Sequence, residues 1–254
     1  TSYELYDFGC GSGAVSDGVI AALNLDPKKT RINLVDTNRN ILKAAALVHQ
    51  DNGFVVKIQK KIEDVFFKQG PREADLHIVF LGYFWNELKK NPRGRKNLLA
   101  IIEKLAAKKC LIFFLEPANS SQAFEAMAAR NDFVESGLKV LYPCPHDKAC
   151  PLLKTKKDYC YSEFEWDRPG FQTIIDESLE LSRKVLGCAG YIFASEALLA
   201  AWPGKQESKP VVVGQPVNCE TEEREILLCT PAATISRVDS GRKRKLNGTA
   251  FSGH

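Results

Sequence analysis

Within its first thirteen residues the chain reads Leu5-Tyr6-Asp7-Phe8-Gly9-Cys10-Gly11-Ser12-Gly13. A short apolar run ends in an acid, and glycine then falls at every second position. The run has the pattern of a buried strand, and residues 15–25 have that of the helix after it. Glycine at such a junction lets the backbone turn sharply and approach a ligand with no Cβ in the way. The N–H groups at the helix start face the same place. Strand, glycine turn and helix in this order commit the chain to an α/β fold with a nucleotide-type binding turn.

Gly9-x-Gly11-x-x-Ala14 fits the dinucleotide fingerprint, whose last glycine can be alanine, so NAD is one reading. Asp7 before the first glycine and Gly13 after the second extend the pattern to Asp-x-Gly-x-Gly-x-Gly. That pattern resembles the first motif of class I S-adenosylmethionine-dependent methyltransferases. There the turn faces the cofactor's amino-acid end, where an acid suits a cation. An ordinary glycine-rich turn is the plain alternative.

The chain then alternates. A strand over 32–36 ends in Asp36, placed to hydrogen-bond a ribose diol. A helix over 40–49 carries Ile41, Leu42, Ala45 and Val48 on one side. A strand over 54–58 leads to Ile62-Glu63-Asp64, where class I methyltransferases often place an acid near the adenine. A fourth strand over 74–82 includes His77, read as a satisfied core or edge histidine. Tyr83-Phe84-Trp85-Asn86-Glu87-Leu88 follows at the carboxyl end of the sheet, where open α/β sheets bind ligands. A helix over 97–107, a strand over 110–115 closing on Glu116-Pro117, and a helix over 120–131 complete the first half. Such alternation predicts a mostly parallel sheet with helices on both faces.

At 254 residues the chain suffices for one large domain, or a domain plus an appendage. A net charge of +4 permits a nucleic-acid partner without requiring one. Basic residues gather at Lys89-Lys90, Arg93 and Arg95-Lys96, at Lys154 and Lys156-Lys157, and at 242–245. No run is long and apolar enough to span a bilayer. The chain starts at Thr1, almost directly on a strand, so an N-terminal portion with any targeting signal is expected to precede it.

Eight cysteines stand at 10, 110, 144, 150, 160, 188, 219 and 229. Cys10 and Cys110 read as core residues. The character of the chain changes after residue 141. Pro143-Cys144-Pro145-His146-Asp147-Lys148-Ala149-Cys150-Pro151-Leu152 is dense in cysteine and proline, and Cys160 follows. Prolines keep such a loop out of helix and strand. A rigid loop presenting several thiolates is a metal or cluster loop. The intervals of six and ten residues between these cysteines fit neither common zinc fingers nor ferredoxin runs. At least one ligand is expected from far away, and zinc with His146 completing a Cys3His set is one possibility. Beyond it come a helix over 174–186, a strand over 190–194, a loop-rich stretch, and strands over 225–229 and 234–238. The expected division is a methyltransferase-like core over 1–141, a Cys-rich region with C-terminal antiparallel strands over 142–238, and a basic tail over 239–254.

These features come in one order. The Asp7–Gly13 turn is followed by Asn86-Glu87-Leu88, Glu116-Pro117, the Cys144–Leu152 block, Cys160, Trp202-Pro203 and Leu228-Cys229-Thr230-Pro231. Together they resemble the methyltransferase-like small-ribosomal-subunit protein family of mitochondria and bacteria. The resemblance implies a class I methyltransferase fold and a role in assembly or translation by the small ribosomal subunit. It implies S-adenosyl-L-methionine at Asp7, Gly9, Gly11, Gly13, Asp36, Glu63, Asp64 and Asn86. It implies a [4Fe-4S] iron–sulfur cluster on Cys144, Cys150, Cys160 and Cys229, leaving Cys188 and Cys219 as non-ligands. Expected partners are the rRNA and proteins of the small subunit, met by a monomer in the mitochondrial matrix or bacterial cytoplasm and away from membranes. An active rRNA methyltransferase with structural zinc or iron–sulfur is the alternative. The residues show no catalytic base or nucleophile, although Asn86 and Glu87 are well placed.

Overall fold

The computed structural model describes residues 1–66, 71–155, 157–181, 185–202, 209–214, 217–218 and 224–239. Five strands alternate with four helices in the first half. They are β1 (Tyr3–Phe8), α1 (Ala14–Leu23), β2 (Thr30–Val35), α2 (Arg39–Asp51), β3 (Val55–Gln59), β4 (Leu76–Gly82), α3 (Pro92–Ala106), β5 (Cys110–Pro117) and α4 (Ser120–Glu135). The rest comprises β6 (Leu138–Tyr142), α5 (Leu152–Thr155), β7 (Ser162–Glu165), α6 (Gly170–Ser178), β8 (Val185–Ser195), α7 (Glu196–Ala200), β9 (Val211–Val212), β10 (Val217–Asn218), β11 (Arg224–Cys229) and β12 (Ile235–Asp239).

The main sheet runs β3-β2-β1-β4-β5-β8-β6, with β7 paired to β8. β1 to β5 pair in parallel, and β8 runs antiparallel to β5, β6 and β7. A reversed strand inserted beside the fifth is the class I methyltransferase arrangement, as the glycine turn led one to expect. β11 pairs with β12 on one side and with β9 and β10 on the other, a separate antiparallel sheet. No described helix is long and apolar enough to cross a membrane.

Alternation along the central strands sorts their side chains into two cores. Tyr6, Phe8, Val79, Leu81, Ile112 and Phe114 pack with Leu98 and Ile102 of α3 and Phe133 of α4. Leu5, Ile32, Leu34, Ile78 and Phe80 face the opposite way, toward Ile20 of α1 and Leu42 of α2. Strands covered on both faces are apolar throughout rather than alternating, as β4 is. Phe133 anchors the first core, its ring 5.4 Å from Trp85, 5.4 Å from Phe114 and 5.2 Å from Phe193.

Several boundaries differ from the sequence reading. α3 begins at Pro92 rather than 97, because proline suits the first helical position and the Asn91 side chain accepts from Gly94 N–H at 2.9 Å. The buried face of α2 is Leu42, Ala45, Ala46 and His49, with Ile41 and Val48 exposed. The small alanines let this rotated face lie close to the sheet. The helix expected over 174–186 is α6, which ends at Ser178. Leu181 N–H bonds back to the Asp176 carbonyl and Glu180 adopts φ 54°, a left-handed helix stop. The chain is therefore extended again by Val185, and β8 runs eleven residues. His77 is a core residue, but not a satisfied one. It is fully buried against the Tyr6 ring, and neither ring nitrogen has a hydrogen-bond partner among the described residues. Burial holds it neutral by pushing its pKa down.

Candidate functional site

The glycine turn is fastened to the end of β2. The N–H groups of Gly9 and Cys10 both donate to the Val35 carbonyl, at 2.8 and 3.2 Å. Gly9 has φ +68°, and a Cβ there would fall 2.3 Å from the nearest atom of the Phe84 side chain. The glycine thus admits a phenyl ring against the backbone. Asp36 just beyond β2 braces the turn, its Oδ2 accepting from Gly11 N–H at 3.0 Å and its Oδ1 from Asn38 N–H at 2.8 Å. Beside these groups opens a cleft of about 430 Å³, lined by Gly9, Asp36, Lys60, Ile62, Phe84 and Glu87 among others. This volume suits a small-molecule ligand.

The other cofactor candidates take varied positions. Gly11 faces open space, whereas Gly13 backs onto His49 and Ala45. Asp7 is buried behind the turn, and its Oδ2 has no hydrogen-bond partner among the described residues. Burial pushes its carboxyl up to about 6, with hydrogen bonds from Ser16 opposing and Asp36 adding to the rise. Asp64 is exposed and reaches the structure through its carbonyl, which accepts from Gln59 Nε2 at 3.1 Å. The Glu63 side chain lies outside the described residues. Asn86 is partly buried and held by Glu116, whose Oε2 accepts from Nδ2 at 2.5 Å. Glu116 Oε1 accepts from the N–H of Trp85 at 2.7 Å and of Asn86 at 3.3 Å. Glu116 is fully buried, so its carboxyl is raised by desolvation despite these bonds. The sequence reading missed Lys60, named Phe84 only within the stretch after β4, and gave Glu116 no role at the site. Only the Glu-Pro at the end of a strand signalled Glu116. Tyr83, exposed at the end of β4, has φ +58°, a strained conformation of the kind found near ligands.

A second site lies among the C-terminal elements. Cys144, Cys150, Cys160 and Cys229 line one small cavity with His146 and Tyr191. Cys144 and Cys150 come from the loop after β6, Cys160 from just before β7, and Cys229 from the end of β11. A buried arginine fastens the loop. Arg130 of α4 donates Nη1 to the Lys148 carbonyl at 2.6 Å and Nη2 to the His146 carbonyl. Asn131 Oδ1 accepts from Cys150 N–H at 3.1 Å, and Asp147 Oδ1 from Val140 N–H at 2.8 Å. Burial and then the neighbouring cysteines drive the Cys160 thiol far up and the Cys229 thiol up to about 12. Arg130 opposes this at Cys144, Cys150 and Cys229. His146 Nε2 is 3.4 Å from Cys229 Sγ. Among the described residues, no three His, Cys, Asp or Glu side chains are grouped so as to hold a metal ion. Cys188 sits apart, opposite Pro117 and Ser162 on β8, and Cys10 and Cys110 are buried. Cys219, Lys156 and the basic run at 242–245 fall outside the described residues.

In fold, the chain is similar to a Thermoplasma acidophilum protein named as a methyltransferase, at 15% identity and TM-score 0.43 over 77% of this chain and 69% of that one. It is also similar to precorrin-6y C5,15-methyltransferase from Geobacter metallireducens, at 14% identity and TM-score 0.42 over 76% of this chain and 79% of that one. No curated protein matches it in sequence. The family profile described as mitochondrial small ribosomal subunit Rsm22 matches residues 3–252, nearly the whole length. The chain therefore belongs to the Rsm22 family of the mitochondrial small ribosomal subunit.

Proposed function

We propose that this protein acts in the mitochondrial matrix as an assembly or translation factor of the small ribosomal subunit, binding S-adenosyl-L-methionine, an iron–sulfur cluster and rRNA. The observation that carries the reading is the convergence of Cys144, Cys150, Cys160 and Cys229 on one cavity, added to membership of the family. Four partly buried thiols facing one cavity resist ionisation, and a bound cation would stabilise them as thiolates. Soft sulfur donors in that number select zinc or an iron–sulfur cluster. One zinc ion would hold four sulfurs about 3.8 Å apart at a Zn–S distance near 2.3 Å. A four-iron cluster would spread them wider across the shared cavity. When bound, the cluster would tie the loop after β6 to β11.

The cleft fits the other cofactor. Asp36 offers a carboxylate for a ribose diol once its bond to Gly11 is exchanged, and Asp7, buried behind the turn, would add negative charge beneath a cationic end. Lys60, Lys61, Lys89, Lys90 and Lys96 are exposed on the elements around this cleft, where they would meet phosphates.

Iron and acid-labile sulfide should be present in near-equal amounts in protein purified without oxygen, with a visible charge-transfer spectrum. Cys150→Ser should lose both. Zinc without sulfide, or a Cys150→Ser protein with full iron content, would overturn the cluster assignment. The Asn86 amide, held beside the cleft by Glu116, favours one second reading, an active rRNA methyltransferase. Radiolabelled methyl transfer to small-subunit rRNA, lost in Asp36→Ala, would establish it.

A further inference from the structure

Helix α6 is built inside out. Its one fully buried residue is an aspartate, Asp176, held by Arg168 Nη1 at 3.2 Å and Gln172 Nε2 at 2.8 Å. Its large apolar residues point away from the protein: Phe171 is 65% exposed, Ile174 69%, Ile175 45% and Leu179, just beyond the helix, 59%. These positions fall at the i, i+3, i+4, i+8 spacing that places side chains on one helical face. Isolated exposed apolar residues are ordinary, but a contiguous stripe on a helix marks a binding surface. Phe164 of β7, six residues before the start of α6, is likewise 49% exposed.

The surroundings of the stripe select its partner. Glu165, Asp167, Glu177 and Glu180 are exposed on the same segment. Arg168 is the one basic residue between 162 and 181, and it is spent on Asp176. Counting Arg183 and Lys184, which lie outside the described residues, the segment 162–184 still has three more acids than bases, in a chain whose net charge is +4. Nucleic acid and anionic lipid would both be repelled here. A second copy of α6 would bring Glu177 and Glu180 against themselves.

We propose that the outward face of α6 docks a basic amphipathic segment of a protein partner. The segment's apolar side covers Phe171, Ile174, Ile175 and Leu179, and its lysines or arginines meet Asp167, Glu177 and Glu180. This is the helix-in-groove style of recognition, with charge setting partner choice.

The test uses the full chain and a fluorescent amphipathic helical peptide of leucine and lysine, followed by anisotropy. The native protein should bind it in the micromolar range. Ile174→Asp and the pair Glu177→Lys, Glu180→Lys should each weaken binding at least about tenfold. Both variants alter exposed positions, and circular dichroism and thermal melting should match the native protein. Undiminished binding by either variant overturns the proposal. So does equal affinity for a leucine–glutamate peptide, or no binding by the native protein. Sedimentation showing a dimer that Ile174→Asp dissolves would assign the face to a second copy instead. Photo-crosslinking of an RNA oligonucleotide to α6 would assign it to nucleic acid.

Discussion

Glu116 grips Asn86 twice, accepting from its side-chain amide through Oε2 and from its main-chain N–H through Oε1. The carboxylate also takes the Trp85 N–H, so one buried acid at the end of β5 fixes the turn that leaves β4. Replacing it with Glu116→Gln turns an NH2 toward donors. A buried donor left unpaired costs about 1–3 kcal/mol. Urea denaturation should show that loss, and S-adenosylmethionine affinity should fall with it.

Asp7 gives the protein a pH signature. Its carboxyl rises from an ordinary 3.8 to about 6 in the folded state. Between those values the folded chain binds more protons than the unfolded one, so this group lowers stability as pH rises from about 4 to about 6 and adds no slope above that. The interval corresponds to about 3 kcal/mol. Asp7→Asn, which lacks the titration, should gain that much relative to the native protein between pH 4 and pH 7 in paired denaturant melts.

Gly9 and Phe84 form a coupled pair, because a Cβ at Gly9 would overlap the Phe84 ring. Gly9→Ala should cost about 1–2 kcal/mol from the left-handed backbone alone, and more from the overlap. Adding Phe84→Ala should return the overlap part but not the backbone part. A double-mutant cycle in which the two effects simply add would show that the ring has room to move.

Arg130→Met should loosen the cysteine loop. It removes charge-assisted bonds to the His146 and Lys148 carbonyls and leaves both acceptors unmet, a loss of about 3 kcal/mol. Faster alkylation of Cys144 and Cys150 in chelator-treated protein would report the loosening directly.

Neighbouring basic residues on α3 should separate into structural and binding roles. Arg95 is paired to Glu125 at 2.8 Å, and its guanidinium lies 4.7 Å from the Trp85 ring centre. Arg95→Gln should cost about 1–2 kcal/mol of stability. Lys96→Gln should change stability by less than about 0.5 kcal/mol. If Lys96 meets a phosphate, the same change lowers the salt slope of RNA binding by about 1.

What the sequence made legible was local. Asp7 to Gly13 and the acid at position 36 declare their place because strand, turn and ligand-facing carboxylate lie within a few residues of one another. The α6 boundary was misread because Ile174, Ile175, Leu179 and Leu186 mimic the spacing of a core helix, while Leu186 belongs to β8 and the rest face outward. Periodicity says that a face is apolar, not what covers it. Glu116 and Arg130 were invisible as anchors because the turn and loop that they fasten lie 30 or more and 16 or more residues away. The four cysteines were countable, but their shared cavity depends on β11, a strand of the second sheet.

The position of β8 bears on how the chain matures. It is the last strand of the main sheet to leave the ribosome, yet it is seated between two that precede it, β5 and β6. Until residue 195 emerges, those two strands wait with unpaired edges, and pairing across such sequence distances is slow. Cys229 follows later still. A nascent chain therefore passes through a stage with a formed glycine turn and an open sheet edge, the interval in which a chaperone would find it.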